Sequence, residues 1–315
     1  MAMHVIPNRI GVDVAKDELV LYDQAADQVF PLPNTKAAIR RWLKGLPENS
    51  HMALEATGIY HLELAEQAHA AGHLVFIING YQLNHYRESM GRRAKTDASD
   101  ARLLADYLQA NQRRLRPWTP PPKAYCTLQR LLRRRATLVQ ARVALQQSWK
   151  EGGSLKALIK PVLAHMDRLD QALQKRLRLA LREAGLQAER ARCQALEGVG
   201  ELTATALVMA FLRGDFRTSD AFIAFLGLDL RVRQSSKREQ RRRLTKRGDA
   251  EVRRLLHNAA MAASRSPRWH QVYEGYLQRG LKKTQALVIL ARKLARIAFA
   301  LMKHKTLYQS EGQIA

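Results

Sequence analysis

Six residues, Pro117-Trp118-Thr119-Pro120-Pro121-Pro122, divide this chain into two parts that obey different patterns. Four prolines in this run fix φ and remove amide donors, so neither a helix interior nor a central strand passes through it. Before the prolines, short apolar runs alternate with helical spacings. Ile10–Val14 and Glu18–Tyr22 read as strands joined by a turn at Ala15-Lys16-Asp17, and Gln28–Leu32 adds a third. Helical spacing follows over Thr35–Leu46, then a strand at His51–Glu55, a helix at Ile59–Ala71, a strand at Leu74–Ile78 and a helix at Ala98–Gln109. That order predicts an α/β layer structure.

Beyond the prolines the period is helical almost throughout. Tyr125, Leu128, Leu132, Ala136, Val139 and Val143 make one apolar stripe, and Val162, Met166, Leu169, Leu173, Leu177 and Leu181 a second. Gly152-Gly153 separates them, which predicts a coiled-coil arm or an antiparallel hairpin; packing on the body of a monomer is the alternative. Further helices are expected at Ser219–Leu226, Asp249–Ser264 and Lys283–Met302. The predicted domains are 1–117, an arm over 118–190, and a helical domain over 191–315.

Charge divides at the same place. Residues 1–122 carry 14 basic and 13 acidic side chains, whereas residues 123–315 carry 39 and 15, so nearly all of the net +25 lies in the second part. A near-neutral unit joined to a strongly basic one suits a catalytic domain tethered to a polyanion-binding domain. Cys126 and Cys193 are too few and too scattered for a zinc site or a disulfide framework, and read as buried thiols in a reducing compartment. No apolar stretch is long enough to span a bilayer, so no membrane partner is expected and the cytosol is the expected location.

Four acids in the first part carry the chemistry. Asp13 lies near the end of the first strand and Glu55 ends the fourth, while Asp97 and Asp100 stand three apart where a helix begins. Carboxylates gathered at one spot repel, and a divalent cation among them resolves the repulsion. Singly, each has a structural reading: Asp97 and Asp100 favour a helix N-terminus, Asp13 a turn, and Glu55 an exposed strand end.

The densest basic cluster lies over 231–254, with nine arginines and two lysines against Glu239, Asp249 and Glu251. Guanidinium forks match phosphate oxygens. Within the cluster, Ser235 and Ser236 offer hydroxyls that either bind a phosphate or attack one. Upstream, Gly198-Val199-Gly200 opens an apolar helix, a turn that suits either phosphate binding or plain helix packing.

Together these segments resemble the bridge-RNA-guided insertion-sequence recombinases, the DEDD transposases. The matching pieces are Gly11-Val12-Asp13-Val14-Ala15-Lys16, Leu54-Glu55-Ala56-Thr57-Gly58, Lys95-Thr96-Asp97-Ala98-Ser99-Asp100-Ala101, Gly198-Val199-Gly200, Phe225-Leu226-Gly227-Leu228 and Leu244-Thr245-Lys246-Arg247-Gly248-Asp249, in the family's order. The resemblance implies an RNase H-like (RuvC-like) N-terminal domain whose quartet Asp13, Glu55, Asp97 and Asp100 binds magnesium. It implies a coiled-coil linker and an all-α C-terminal transposase domain with a nucleophilic serine, eight residues after Gly227, which is Ser235. It further implies a tetramer acting on donor and target DNA, with a noncoding guide RNA that pairs with both. Arg231, Arg233, Lys237, Arg238, Lys246 and Arg247 are then the expected nucleic-acid contacts. The chain departs from the family at Leu230, where proline is usual, and at Ser235-Ser236, where Ser-Gly is usual, so Ser236 stands as the alternative nucleophile. A DNA invertase of the same plan, a metal-dependent junction nuclease and an inactive nucleic-acid-binding copy are the alternative activities.

Overall fold

A computed structural model describes residues 8–56, 58–91, 96–150, 156–231, 234–235, 238–239 and 243–309, with backbone alone at 156, 234, 235, 238 and 239. The chain forms two compact units, Met1–Pro120 and Pro121–Ala315.

In chain order, the first unit contains β1 (Arg9–Val14), β2 (Glu18–Asp23), β3 (Gln28–Pro33), α1 (Lys36–Leu43), β4 (His51–Glu55), α2 (Leu62–Ala70), β5 (Leu74–Ile78), α3 (Gly80–Ser89) and α4 (Asp97–Asn111). The strands form one five-stranded sheet in the order β3-β2-β1-β4-β5. β1, β2 and β3 are antiparallel neighbours, while β4 lies parallel to both β1 and β5. Strand alternation divides the core into two layers. Ile10, Val12, Met52, Leu54 and Val75 join Ile39, Leu43, Leu64, Ala65 and Ala68 of α1 and α2. Ala53, Phe76 and Ile78 turn the other way and join Leu83 of α3 with Leu103, Leu104 and Leu108 of α4. A mixed α/β unit is therefore observed, as the alternating runs predict. The segment over 80–89, which the sequence reading leaves unassigned, is the helix α3, started by the Asn79 side chain accepting from the Tyr81 amide at 2.9 Å.

The second unit contains α5 (Lys123–Ser148), α6 (Lys156–Glu183), α7 (Gln187–Gln194), α8 (Glu201–Leu212), α9 (Ser219–Phe225), the short strands β6 (Leu230–Arg231), β7 (Gln234–Ser235), β8 (Arg238–Glu239) and β9 (Arg243–Leu244), then α10 (Ala250–Ala263), α11 (Pro267–Gln278) and α12 (Lys283–His304). α5 and α6 form an antiparallel hairpin tied by Arg135–Asp170 at 2.7 Å and Arg142–Asp167 at 2.9 Å. Its root is buried through Leu128, Leu131, Leu132, Leu177 and Leu181, whereas Val143, Leu158, Val162 and Leu169 are exposed. α8 is buried on nearly every face, from Thr203 to Ala210, and α10 and α12 pack around it. Gly198, at φ +80°, lies where any Cβ would overlap the α10 backbone at Ala259 and Ala263, so helix packing alone requires a glycine there.

Two expectations are corrected. The second unit is helical but not all-α, because the basic segment after α9 forms two short antiparallel strand pairs. Of the two cysteines, Cys193 is buried but Cys126 is exposed, since it falls off the buried stripe of α5. Among the described residues no helix is long and apolar enough to cross a membrane.

Candidate active site

The sheet places two of the four acids by register. β1 and β4 run parallel with Val12 opposite Leu54, so Asp13 and Glu55 stand next to each other one residue further along. Alternation puts both on the α3/α4 face, because Val12 and Leu54 point into the α1/α2 core. The other two acids arrive on α4, which lies directly over β1. A Cβ on Gly11 would overlap the Ala101 carbonyl, so only glycine admits this approach.

The start of α4 is fixed by a capping box. The Thr96 hydroxyl accepts from the Ser99 amide at 3.2 Å, and the Ser99 hydroxyl accepts from the Thr96 amide at 2.9 Å. Thr96 therefore caps the helix, leaving Asp97 and Asp100 in the first turn without a capping duty. Asp97 is exposed, while Asp100 is buried.

The convergence registers in the Asp13 carboxyl. Burial, followed by repulsion from Asp97, Asp100 and Glu55, pushes it from 3.8 up to about 6. Asp97, Asp100 and Glu55 are thus near enough to Asp13 for their charge to act on its carboxyl. Among the described residues, no group of three His, Cys, Asp or Glu side chains is arranged to hold a metal ion. The donor chemistry nevertheless fits a hard divalent cation: four carboxylates, one of them raised by burial and by the charge of the other three.

Two further residues border this spot, and sequence reasoning missed both. Gly80, at the start of α3, packs so closely on Glu55 that a Cβ would overlap Oε1. Two turns on, Arg87 Nη2 donates to Asp100 Oδ1 at 2.7 Å, with both side chains largely buried. Its Nη1 donates to Asn84 Oδ1 at 2.7 Å. The only local hint is Asn79-Gly80 after a strand with Leu83 and Tyr86 at helical spacing, and nothing there announces a partner 13 residues away.

In the second unit the described residues of the basic segment form two short strand pairs, and the root of the first is closed tightly. Leu230 pairs with Leu244 and Arg231 with Arg243, and beyond them Gln234 pairs with Glu239 and Ser235 with Arg238. Ser235 therefore stands beside the connection between β7 and β8. At the root, the Lys246 amide donates to the Gly227 carbonyl at 3.1 Å and the Thr245 amide to the Asp229 carbonyl at 3.0 Å. Gly227 has φ +69° and faces the Gly248 amide where a Cβ would sit. Arg253 Nη1 bridges the two sides, donating to the Gly248 carbonyl at 2.5 Å and the Leu226 carbonyl at 3.4 Å. Arg231, Lys246 and Arg247 are all exposed at this root. Arg233, Ser236 and Lys237 lie outside the described residues, and of Ser235 and Arg238 the backbone alone is described.

Comparison with known proteins agrees with both units. Residues 10–151 match a family model described as a transposase, the DEDD type of IS110 elements. Residues 190–274 match a second, described as transposase of the IS116/IS110/IS902 family. The chain is 30% identical to a probable family 20 transposase of Pseudomonas aeruginosa, an alignment covering 96% of this chain and 98% of that one. It is 27% identical to a pilin gene-inverting protein of Moraxella bovis (93% of this chain, 95% of that one) and 26% identical to its counterpart in Moraxella lacunata. With the acidic spot on the sheet, the strand pairs after α9 and a relative matched almost end to end, the chain belongs to the IS116/IS110/IS902 family of transposases.

Proposed function

We propose that the chain is a DNA recombinase that moves an insertion sequence through a covalent phosphoserine intermediate, with Ser235 as nucleophile and Asp13, Glu55, Asp97 and Asp100 as a magnesium-binding quartet. The observation that carries this reading is the convergence of three carboxylates on Asp13 in a chain of transposase ancestry. In this reading the first unit is an RNase H-like domain, the α5–α6 hairpin a linking arm, and the remainder a serine transposase domain. Donor and target DNA are the substrates, a noncoding RNA guides their choice, and the working assembly is a tetramer.

The Ser235 hydroxyl attacks a DNA phosphorus. A phosphorus–serine oxygen bond forms, the bond to one DNA oxygen breaks, and the serine proton passes to that departing oxygen. The incoming strand's hydroxyl then reverses the step, releasing serine with the phosphodiester bond energy conserved. Arg231, Arg233, Lys237 and Arg238 hold the phosphate that reacts, and Lys246 and Arg247 hold DNA at the root of the first strand pair. A cation bound by the quartet would polarise the scissile phosphate and offset its developing charge.

The two gene-inverting relatives favour a second reading, inversion of a DNA segment by the same chemistry. A substrate carrying element ends in either orientation separates excision from inversion. The central test supplies wild type, Ser235→Ala, Ser236→Ala and Asp97→Ala with the flanking RNA and magnesium, and traps protein–DNA adducts. Adduct and recombinants are expected from wild type and Ser236→Ala and from neither other variant. Cleavage that persists without Ser235 and leaves no adduct assigns the chemistry to a metal nuclease instead. Adduct from Ser235→Ala but not from Ser236→Ala moves the nucleophile by one residue.

A further inference from the structure

We infer that Arg87 is the resident counter-cation of the acidic quartet, holding Asp100 by one oxygen until a divalent cation takes that carboxylate over. The inference rests on reading the quartet as a metal site, and it adds a residue that neither the motifs nor the relatives assign.

Four carboxylates converging on a half-buried strand end require positive charge nearby, even before any metal binds. The described structure supplies it from α3. Arg87 Nη2 lies 2.7 Å from Asp100 Oδ1, with side-chain exposures of 12% and 8%. Water screens a pair this buried poorly, and a charge-assisted bond of this length is a strong one. The guanidinium is also aimed, because Nη1 is held at 2.7 Å by Asn84 Oδ1 from the preceding turn of the same helix. Asp100 Oδ1 is therefore committed to an arginine, in keeping with an arrangement in which no three acids are set to hold a metal. The same helix presses Gly80 against Glu55, so α3 borders two quartet members at once. A cation that recruits Asp100 competes with Arg87, and the cost of breaking that pair is subtracted from its affinity.

The test measures Mn2+ binding at neutral pH, by the paramagnetic signal of free Mn2+, in full-length wild type, Arg87→Gln and Arg87→Lys. Each is repeated in an Asp100→Asn background, with thermal melts taken in the metal-free state. Arg87→Gln is expected to lower the metal-free Tm by several degrees and to tighten Mn2+ binding about tenfold, the worth of one such pair. Arg87→Lys keeps both properties near wild type. In the Asp100→Asn background, removing Arg87 leaves Mn2+ affinity unchanged. Asn84→Ala, which releases the guanidinium without deleting it, gives a tightening of roughly threefold and covers the case in which Arg87→Gln does not fold. Unchanged or weaker Mn2+ binding in Arg87→Gln overturns the inference and makes Arg87 a plain structural strut. A wild-type protein that binds no Mn2+ removes the metal reading of the quartet itself, a separate failure.

Discussion

Gly11 and Ala101 touch backbone to backbone: the α4 carbonyl of Ala101 occupies the place where a β1 side chain at position 11 would begin. That contact lets α4 lie on the strand carrying Asp13, and so delivers Asp97 and Asp100 to it. Gly11→Ala is expected to cost about 3 kcal/mol or more, because two backbones rather than a flexible side chain must give way. Denaturant unfolding measures the loss. A Mn2+ titration of the surviving folded protein should show weakened binding, and a variant with wild-type stability and binding would contradict the packing argument.

The Asp13 carboxyl sets a pH dependence with a definite sign. Burial and its three acidic neighbours raise it to about 6 in the folded chain, above the ordinary 3.8 it regains on unfolding. Between those values the folded state binds more protons than the unfolded one, so stability falls as pH rises through the window and stays lower above it. Metal-free Tm should therefore respond to pH across this window more steeply in wild type than in Asp13→Asn, and Mn2+ binding should fail as pH drops below about 6. Identical pH profiles for the two proteins would show that the carboxyl is not perturbed.

At the root of the first strand pair, Gly227 combines φ +69° with a Cβ position already taken by the Gly248 amide. Gly227→Ala is expected to destabilise the second unit by about 3 kcal/mol, from left-handed strain plus overlap. Limited proteolysis should then cut between Asp229 and Arg247 sooner than in wild type. Covalent DNA adducts should fall further than the loss of folded protein accounts for, since Ser235 depends on that root for its position. Adduct yield that simply tracks folded fraction would separate the strand pairs from the chemistry.

The cysteines make a simpler contrast. Cys126 is exposed, whereas burial pushes the Cys193 thiol up to about 12. A maleimide should label one thiol in the native protein and both after denaturation. Rapid native labelling of Cys193 in a Cys126→Ser variant would contradict the core around α7 and α8.

How much of this was legible beforehand follows from the range of each interaction. The strands, α4 and the long helices announce themselves through local period and capping, and Pro117–Pro122 divides the patterns that produce the two units. α3 was not legible, because its short apolar face buries only Leu83. The strand pairs after α9 were hidden by composition: a run this dense in arginine carries no apolar alternation to mark a strand, and the two root glycines bring its ends together only in the fold.

By itself, the sequence determined the α/β-then-helical order, the charge partition and the candidacy of Asp13, Glu55, Asp97 and Asp100. Those properties follow from residue type and short-range spacing. Only the tertiary structure decided that the charge of three acids reaches the fourth, that Arg87 holds Asp100, and that Gly227 and Gly248 close the root of the segment in which Ser235 pairs with Arg238. Each of these depends on backbone separations of a few ångströms between segments distant in sequence, which sheet register and helix approach set and local spacing does not encode.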